Sequence, residues 1–91
     1  MNNEVLLCGR IMSRQKNIMC NNRKAIRVKL AIPSDDNTKY DVAYIYIYDD
    51  GNIYKSLNIS QAIAINGHIE ISCGQRAIAD VLSVIKEARS C

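Results

Sequence analysis

Lys39-Tyr40-Asp41-Val42-Ala43-Tyr44-Ile45-Tyr46-Ile47-Tyr48 alternates in character along its whole length. Tyr40, Val42, Tyr44, Tyr46 and Tyr48 share one parity, and Asp41, Ala43, Ile45 and Ile47 share the other. A strand turns successive side chains to opposite faces. The stretch therefore predicts a β-strand with an aliphatic face for a core and a tyrosine face directed outward or toward a partner. Asp49-Asp50-Gly51 ends it.

The same period of two extends in both directions. From Ala25 to Ile32, Ile26, Val28, Leu30 and Ile32 oppose Arg27, Lys29 and Ala31, and Pro33 stops the ladder. A first strand is expected over Glu4 to Met12. Ser13 to Lys24 is polar and basic, with a turn at Asn21-Asn22. Downstream, residues 52–59 read as a short helix or an irregular connection, with Ile53 and Leu57 four apart. A fourth strand is expected over Gln61 to Ser72, with Ile63, Ile65, Gly67, Ile69 and Ile71 on one face. Cys73-Gly74-Gln75-Arg76 predicts a tight hairpin loop. A fifth strand follows from Ala77 to about Lys86. Lys86 to Arg89 lacks strand character and leaves room for a short helix. Gly9 and Gly67, inside strands, are expected to mark bulges or barrel corners.

These elements predict an all-β chain: one domain over residues 1–91, five strands, and a short element between the third and fourth. That is the order of an OB-type Greek-key barrel, although pattern alone leaves other small all-β folds open. The composition agrees. The 91 residues contain no Phe or Trp and five Tyr, and Ile is abundant; Ile and Tyr favour pleated surfaces.

The net charge of +3 is unevenly spread. Val5 to Ser34 contains no acid but holds Arg10, Arg14, Lys16, Arg23, Lys24, Arg27 and Lys29. Asp35, Asp36, Asp41, Asp49 and Asp50 come later. Such asymmetry implies a face that attracts an anion. Cys8, Cys20, Cys73 and Cys91 lie far apart, with no C-x-x-C pair and with His68 the only histidine. No zinc ligand set, metal or cofactor is expected, and reduced thiols are. No apolar run approaches the ~20 residues of a membrane span, so the cytoplasm is the expected location. The sequence lacks the H-x-E and P-C-x-x-C motifs of zinc deaminases and the phosphate loop of nucleotide-binding enzymes. Catalysis is not expected.

At the residue level the chain resembles the bacterial and phage single-stranded DNA-binding (SSB) proteins. Asn3-Glu4-Val5-Leu6-Leu7-Cys8-Gly9-Arg10-Ile11 looks like that family's first strand, N-x-V-x-L-x-G-R-L. Ile26 to Ile32 resembles its second. Ile63-Ala64-Ile65-Asn66-Gly67-His68-Ile69 is similar to its V-x-V-E-G-R-L strand, and Ile78 to Ile85 to its closing strand. The chain departs from the family at Cys20-Asn21-Asn22-Arg23, where a Pro-Asn-Gly turn is usual. It departs again at the short Cys73–Arg76 loop, and at its end in Arg89-Ser90-Cys91 rather than an acidic, Phe-ending tip. The resemblance thus points to a trimmed relative, such as a phage or mobile-element SSB. The short OB proteins of the replication-restart primosome are an alternative.

The resemblance implies non-sequence-specific binding of single-stranded DNA in replication, recombination or repair. Such binding needs flat side chains for bases and cations for phosphates. Aligned on Gly67, Tyr40 and Tyr46 fall where the family places stacking aromatics, and Tyr44 and Tyr48 share their face. Arg27 and Lys29, with Arg10, Arg14 and Lys16, are the candidate phosphate contacts; His68 stands where the family often has a basic residue. Stacking and phosphate contacts do not read the sugar, so RNA stays open beside DNA. The other function class is an OB-fold protein-interaction module whose tyrosine face meets another protein. A homodimer or homotetramer is expected. Val5, Leu7, Gly9 and Ile11 can line a barrel, while Leu6 and Cys8 fall on the opposite face. A strand apolar on both faces is usually covered on both, and relatives associate through this strand. Cover by the chain's own Val84 to Cys91 is the alternative.

Overall fold

The computed structural model describes residues 3–36, 38–71 and 74–85. Five strands, β1 (Val5–Cys20), β2 (Arg23–Pro33), β3 (Tyr40–Tyr48), β4 (Ala62–Glu70) and β5 (Arg76–Val84), form a closed barrel in the order β1-β2-β3-β5-β4. A single 3-10 turn, Ile53–Ser56, lies between β3 and β4. Lys86–Arg89, where the sequence leaves room for a short helix, and Cys73 of the expected hairpin loop lie outside the described residues.

Closure depends on β1. Its first part pairs with β4, from Val5 opposite Gly67 to Arg10 opposite Ala62. From Arg10 to Cys20 it pairs with β2. β1 was expected to stop at Met12, so the strand is longer than its pattern. The register slips between Ile11 and Ser13 and again between Gln15 and Ile18. Each slip inserts one extra residue, and a bulge inverts the parity of all that follows. Ser13 and Gln15 therefore share the outer face with Ile18 and Cys20, and no single period of two survives. Asn21 and Asn22 form the two-residue hairpin tip, both at positive φ (51° and 61°), as a type I′ turn requires.

Ile26, Val28 and Leu30 from β2, Ile45 and Ile47 from β3, and Ile63 and Ile65 from β4 fill the interior with Ile11 and Leu57. The expected inward faces hold, except at Ile71. This residue lies beyond the end of β4, where the chain already turns toward β5, and it is exposed. Gly9 and Gly67 are packing positions. A Cβ on Gly9 would stand 2.6 Å from the Ala31 carbonyl oxygen, and one on Gly67 only 1.9 Å from that of Ile78.

Outside the barrel wall a second buried cluster joins Cys20, Ala25, Tyr46 and Ile78, with Ile18 and Tyr48 packed against it. The hairpin tip closes over this part of β3. Cys20 is a free buried thiol. Cys8, half-buried on the outer face opposite Ala64, is disulfide-bonded, which corrects the expectation of reduced thiols at that position. No helix among the described residues is long and apolar enough to cross a membrane.

Candidate nucleic-acid interface

Register builds the tyrosine face. Antiparallel pairing sets Tyr40 opposite Pro33, Val42 opposite Ala31, Tyr44 opposite Lys29, Tyr46 opposite Arg27 and Tyr48 opposite Ala25. Directly paired residues share a face, so the outer side of β2–β3 sets Lys29 and Arg27 beside Tyr44 and Tyr46. Tyr40 and Tyr44 are 56% and 49% exposed, and Val42 between them is also exposed. Strand rise puts these two rings ~13 Å apart.

The face changes character toward its other end. Tyr46 is only 8% exposed. Its ring lies beneath the Arg76 guanidinium, 4.6 Å from the centroid, and that arginine also donates to the Met19 carbonyl at 3.1 Å. Arg23 covers Tyr48 at 3.8 Å. The Tyr48 hydroxyl donates to Glu70 Oε1 at 2.8 Å. Burial, reinforced by that carboxylate, pushes the phenol up to about 12.

The candidate cations divide. Arg27 and Lys29 stand on the tyrosine face. Arg27 donates to Gln15 Oε1 at 2.7 Å and reaches the Tyr44 ring at 5.3 Å. Arg10 starts on the outer face beside Ala31, but its guanidinium turns to the Ser60 carbonyl at 2.8 Å. Arg14 follows the first bulge and fastens the β3–β4 connection by donating to the Tyr54 and Leu57 carbonyls. Its guanidinium also lies 4.4 Å from the Tyr54 ring centroid, with the Lys16 ammonium at 4.6 Å. These last three thus gather at the connection, away from Tyr44. His68 is held by two carboxylates, Nδ1 to Asp80 Oδ2 at 2.7 Å and Nε2 to Glu70 Oε2 at 2.8 Å.

Sequence reasoning missed Arg23 and Arg76 as partners of the tyrosines. Arg23 had a signal, because it shares parity with Ala25, Arg27 and Lys29. Arg76 had none: it meets Tyr46 through the short parallel contact of β3 with β5, in which Tyr46 pairs with Ile78. Two of the aspartates serve turns. Asp36 accepts from the Ser34 hydroxyl and the Thr38 amide, and Asp50 from the amides of Asn52 and Ile53. Those bonds hold both carboxyls below their ordinary range.

A closed five-stranded barrel in this order, with a short helical turn between β3 and β4, is the OB fold. Solved structures with the same fold cover nearly all of this chain. The N-terminal domain of PriB from Thermoanaerobacter tencongensis, described as dimeric, superposes with a TM-score of 0.75 at 21% identity. The match covers 96% of this chain and 100% of that one. The mitochondrial single-stranded DNA-binding protein Rim1 of S. cerevisiae gives a TM-score of 0.74 at 11% identity, covering 97% and 100%. The small single-stranded DNA-binding protein of Streptomyces coelicolor gives 0.69 at 15%, covering 99% and 100%. No protein-family model and no curated protein matches the sequence.

Proposed function

We propose that this protein binds single-stranded DNA without sequence specificity, in replication, recombination or repair. One observation carries the reading: Tyr40 and Tyr44 stand exposed on the outer face of an OB barrel, flanked by Lys29 and Arg27. Bases stack on the rings, and the cations neutralise phosphates. Anisotropy of labelled oligo-dT against a matching duplex, at low and high salt, tests it. Preference for the single strand with a steep salt dependence is expected. Equal affinity for both, or none for either at low salt, overturns it and favours the protein-interaction module. An oligo-rU arm decides whether RNA is also bound.

The working form is a homo-oligomer assembled through β1. Leu6 is 67% exposed; it pairs with Asn66, whose other neighbour, Val81, is 60% exposed. This apolar patch lies on the outer face of β1–β4–β5, and sharing it would add to a small core. Light scattering in reducing buffer should give at least twice the 10.2 kDa of one chain, falling toward one chain in Leu6→Glu. A wild-type monomer at tens of micromolar overturns it.

A further inference from the structure

The group around His68 ties three strands and the hairpin tip together. His68 lies on β4. One ring nitrogen meets Asp80 and the other meets Glu70. Asp80 reaches the ring because β5 bulges there: Gly67 pairs with Ala79 and Asn66 with Val81, leaving Asp80 as the extra residue. Glu70 uses its other oxygen to accept from the Tyr48 hydroxyl on β3 at 2.8 Å and from Asn21 Nδ2 at the hairpin tip at 2.5 Å. Asn21 Nδ2 also reaches the Tyr48 hydroxyl, at 3.3 Å.

A carboxylate only accepts hydrogen bonds, whereas a neutral imidazole donates from one nitrogen and accepts at the other. Two carboxylates at 2.7 and 2.8 Å on opposite nitrogens are satisfied together only by the imidazolium. A neutral ring must turn a lone pair toward one of them. We propose that His68 is a proton-operated latch on the closed end of the tyrosine face: as imidazolium it binds Glu70 to Asp80 and so fixes Tyr48 and the Asn21 tip, and losing its proton loosens both and weakens single-strand binding. The effect on binding rests on the function proposed above; the latch itself does not.

The surrounding charges fit this role. Arg76 pairs with Glu70 across β4–β5, but its guanidinium is on Tyr46 and the Met19 carbonyl. Arg23 is on Tyr48. Glu4, just ahead of β1, accepts from Asn66. Asp50 lines the same cleft as Asp80 and Tyr48, with its carboxylate bound by two backbone amides. Asp80, then Glu70, raises His68 above its ordinary value of 6.5. His68, then Tyr48, lowers Glu70 below its ordinary 4.5. By linkage, the histidine's share of the latch is complete below 6.5 and is lost as pH rises through the raised value. The glutamate's share is present above 4.5 and is lost as pH falls through the depressed one. The latch is therefore closed between the depressed glutamate value and the raised histidine value, and opens as pH rises through the latter.

His68 is the only histidine, so its imidazole carbon-bound protons can be followed by NMR without ambiguity. In the full chain without DNA, the midpoint should lie above 6.5 and fall in Asp80→Asn. Protection of the Asn22 and Arg23 amides, taken against the intrinsic base-catalysed exchange rate at each pH, should fall across the wild-type midpoint and be low at every pH in His68→Gln. Oligo-dT affinity should weaken about fivefold across that midpoint and be pH-independent over the same range in His68→Gln. A midpoint that Asp80→Asn leaves in place, or tip protection retained in His68→Gln, overturns the latch. If oligo-dT binds at no pH, the proposed function and this regulatory effect both fail, while the NMR and exchange results still decide the latch. If it binds and His68→Gln keeps the wild-type pH dependence, only the coupling fails.

Discussion

Tyr44 and Tyr46 are two residues apart on one face of one strand, yet they occupy different environments. Tyr44 is half exposed beside Lys29, with the Arg27 guanidinium over its ring, 5.3 Å from the centroid. Tyr46 is sealed under Arg76 and packed on Cys20, Ala25 and Ile78. The cause is not local, since both tyrosines sit in the same alternating pattern. The β1–β2 hairpin tip and β5 reach over the second half of β3 and stop short of the first. An aromatic stripe read from sequence is therefore two surfaces: an open half around Tyr40 and Tyr44 that can take a ligand, and a closed half around Tyr46 and Tyr48 that anchors the hairpin.

Tyr46→Ala makes the strongest attempt to break this division. Emptying a buried aromatic site typically costs about 3–5 kcal/mol, so urea denaturation should show a loss of that order. An unchanged midpoint would mean that the second cluster does not hold the hairpin. Tyr44→Ala should leave the denaturation midpoint nearly unmoved and weaken oligo-dT binding by roughly 1–3 kcal/mol, with the salt slope preserved. If the binding loss appears instead in a folded variant at Tyr46, the open and closed assignments are reversed.

Lys29→Ala sharpens the comparison within the open half. Removing one phosphate contact should lower the slope of log affinity against log salt by about 0.7, which a salt titration of oligo-dT binding resolves. The smallest effect is expected at Arg23→Ala. An exposed cation over a ring contributes about 0.5–1 kcal/mol, so stability should fall by that amount with the oligo-dT salt slope intact. A lowered slope would transfer Arg23 to the phosphate contacts.

The opposite fates of the candidate cations have a similar origin. Arg27 and Lys29 were legible because β2 keeps a strict alternation from Ala25 to Ile32, and alternation fixes the face. Arg14 and Lys16 follow a bulge in β1. After a bulge, counting in twos no longer reports the face, so their place beside Tyr54 was hidden. The length of β1 was hidden for the same reason. His68 could be placed on the outer face of β4 by parity, but its two carboxylates could not, because Asp80 arrives through a bulge in β5.

The sequence by itself determined the strand-forming segments from Ala25 onward, the aliphatic interior, the hairpin tip at Asn21-Asn22, and the gathering of tyrosines on one face of β3. Each is set by short-range chemistry: the period of the pleat, the φ preference of turn residues and the burial of Ile. Tertiary structure alone decided which tyrosines remain open. That depends on the β1 bulges, which carry the hairpin over Tyr46 and Tyr48, and on the parallel contact of β3 with β5, which brings Arg76 onto a strand 30 residues earlier in the chain. Such contacts are chosen by barrel closure, a property of the whole sheet that no local periodicity encodes.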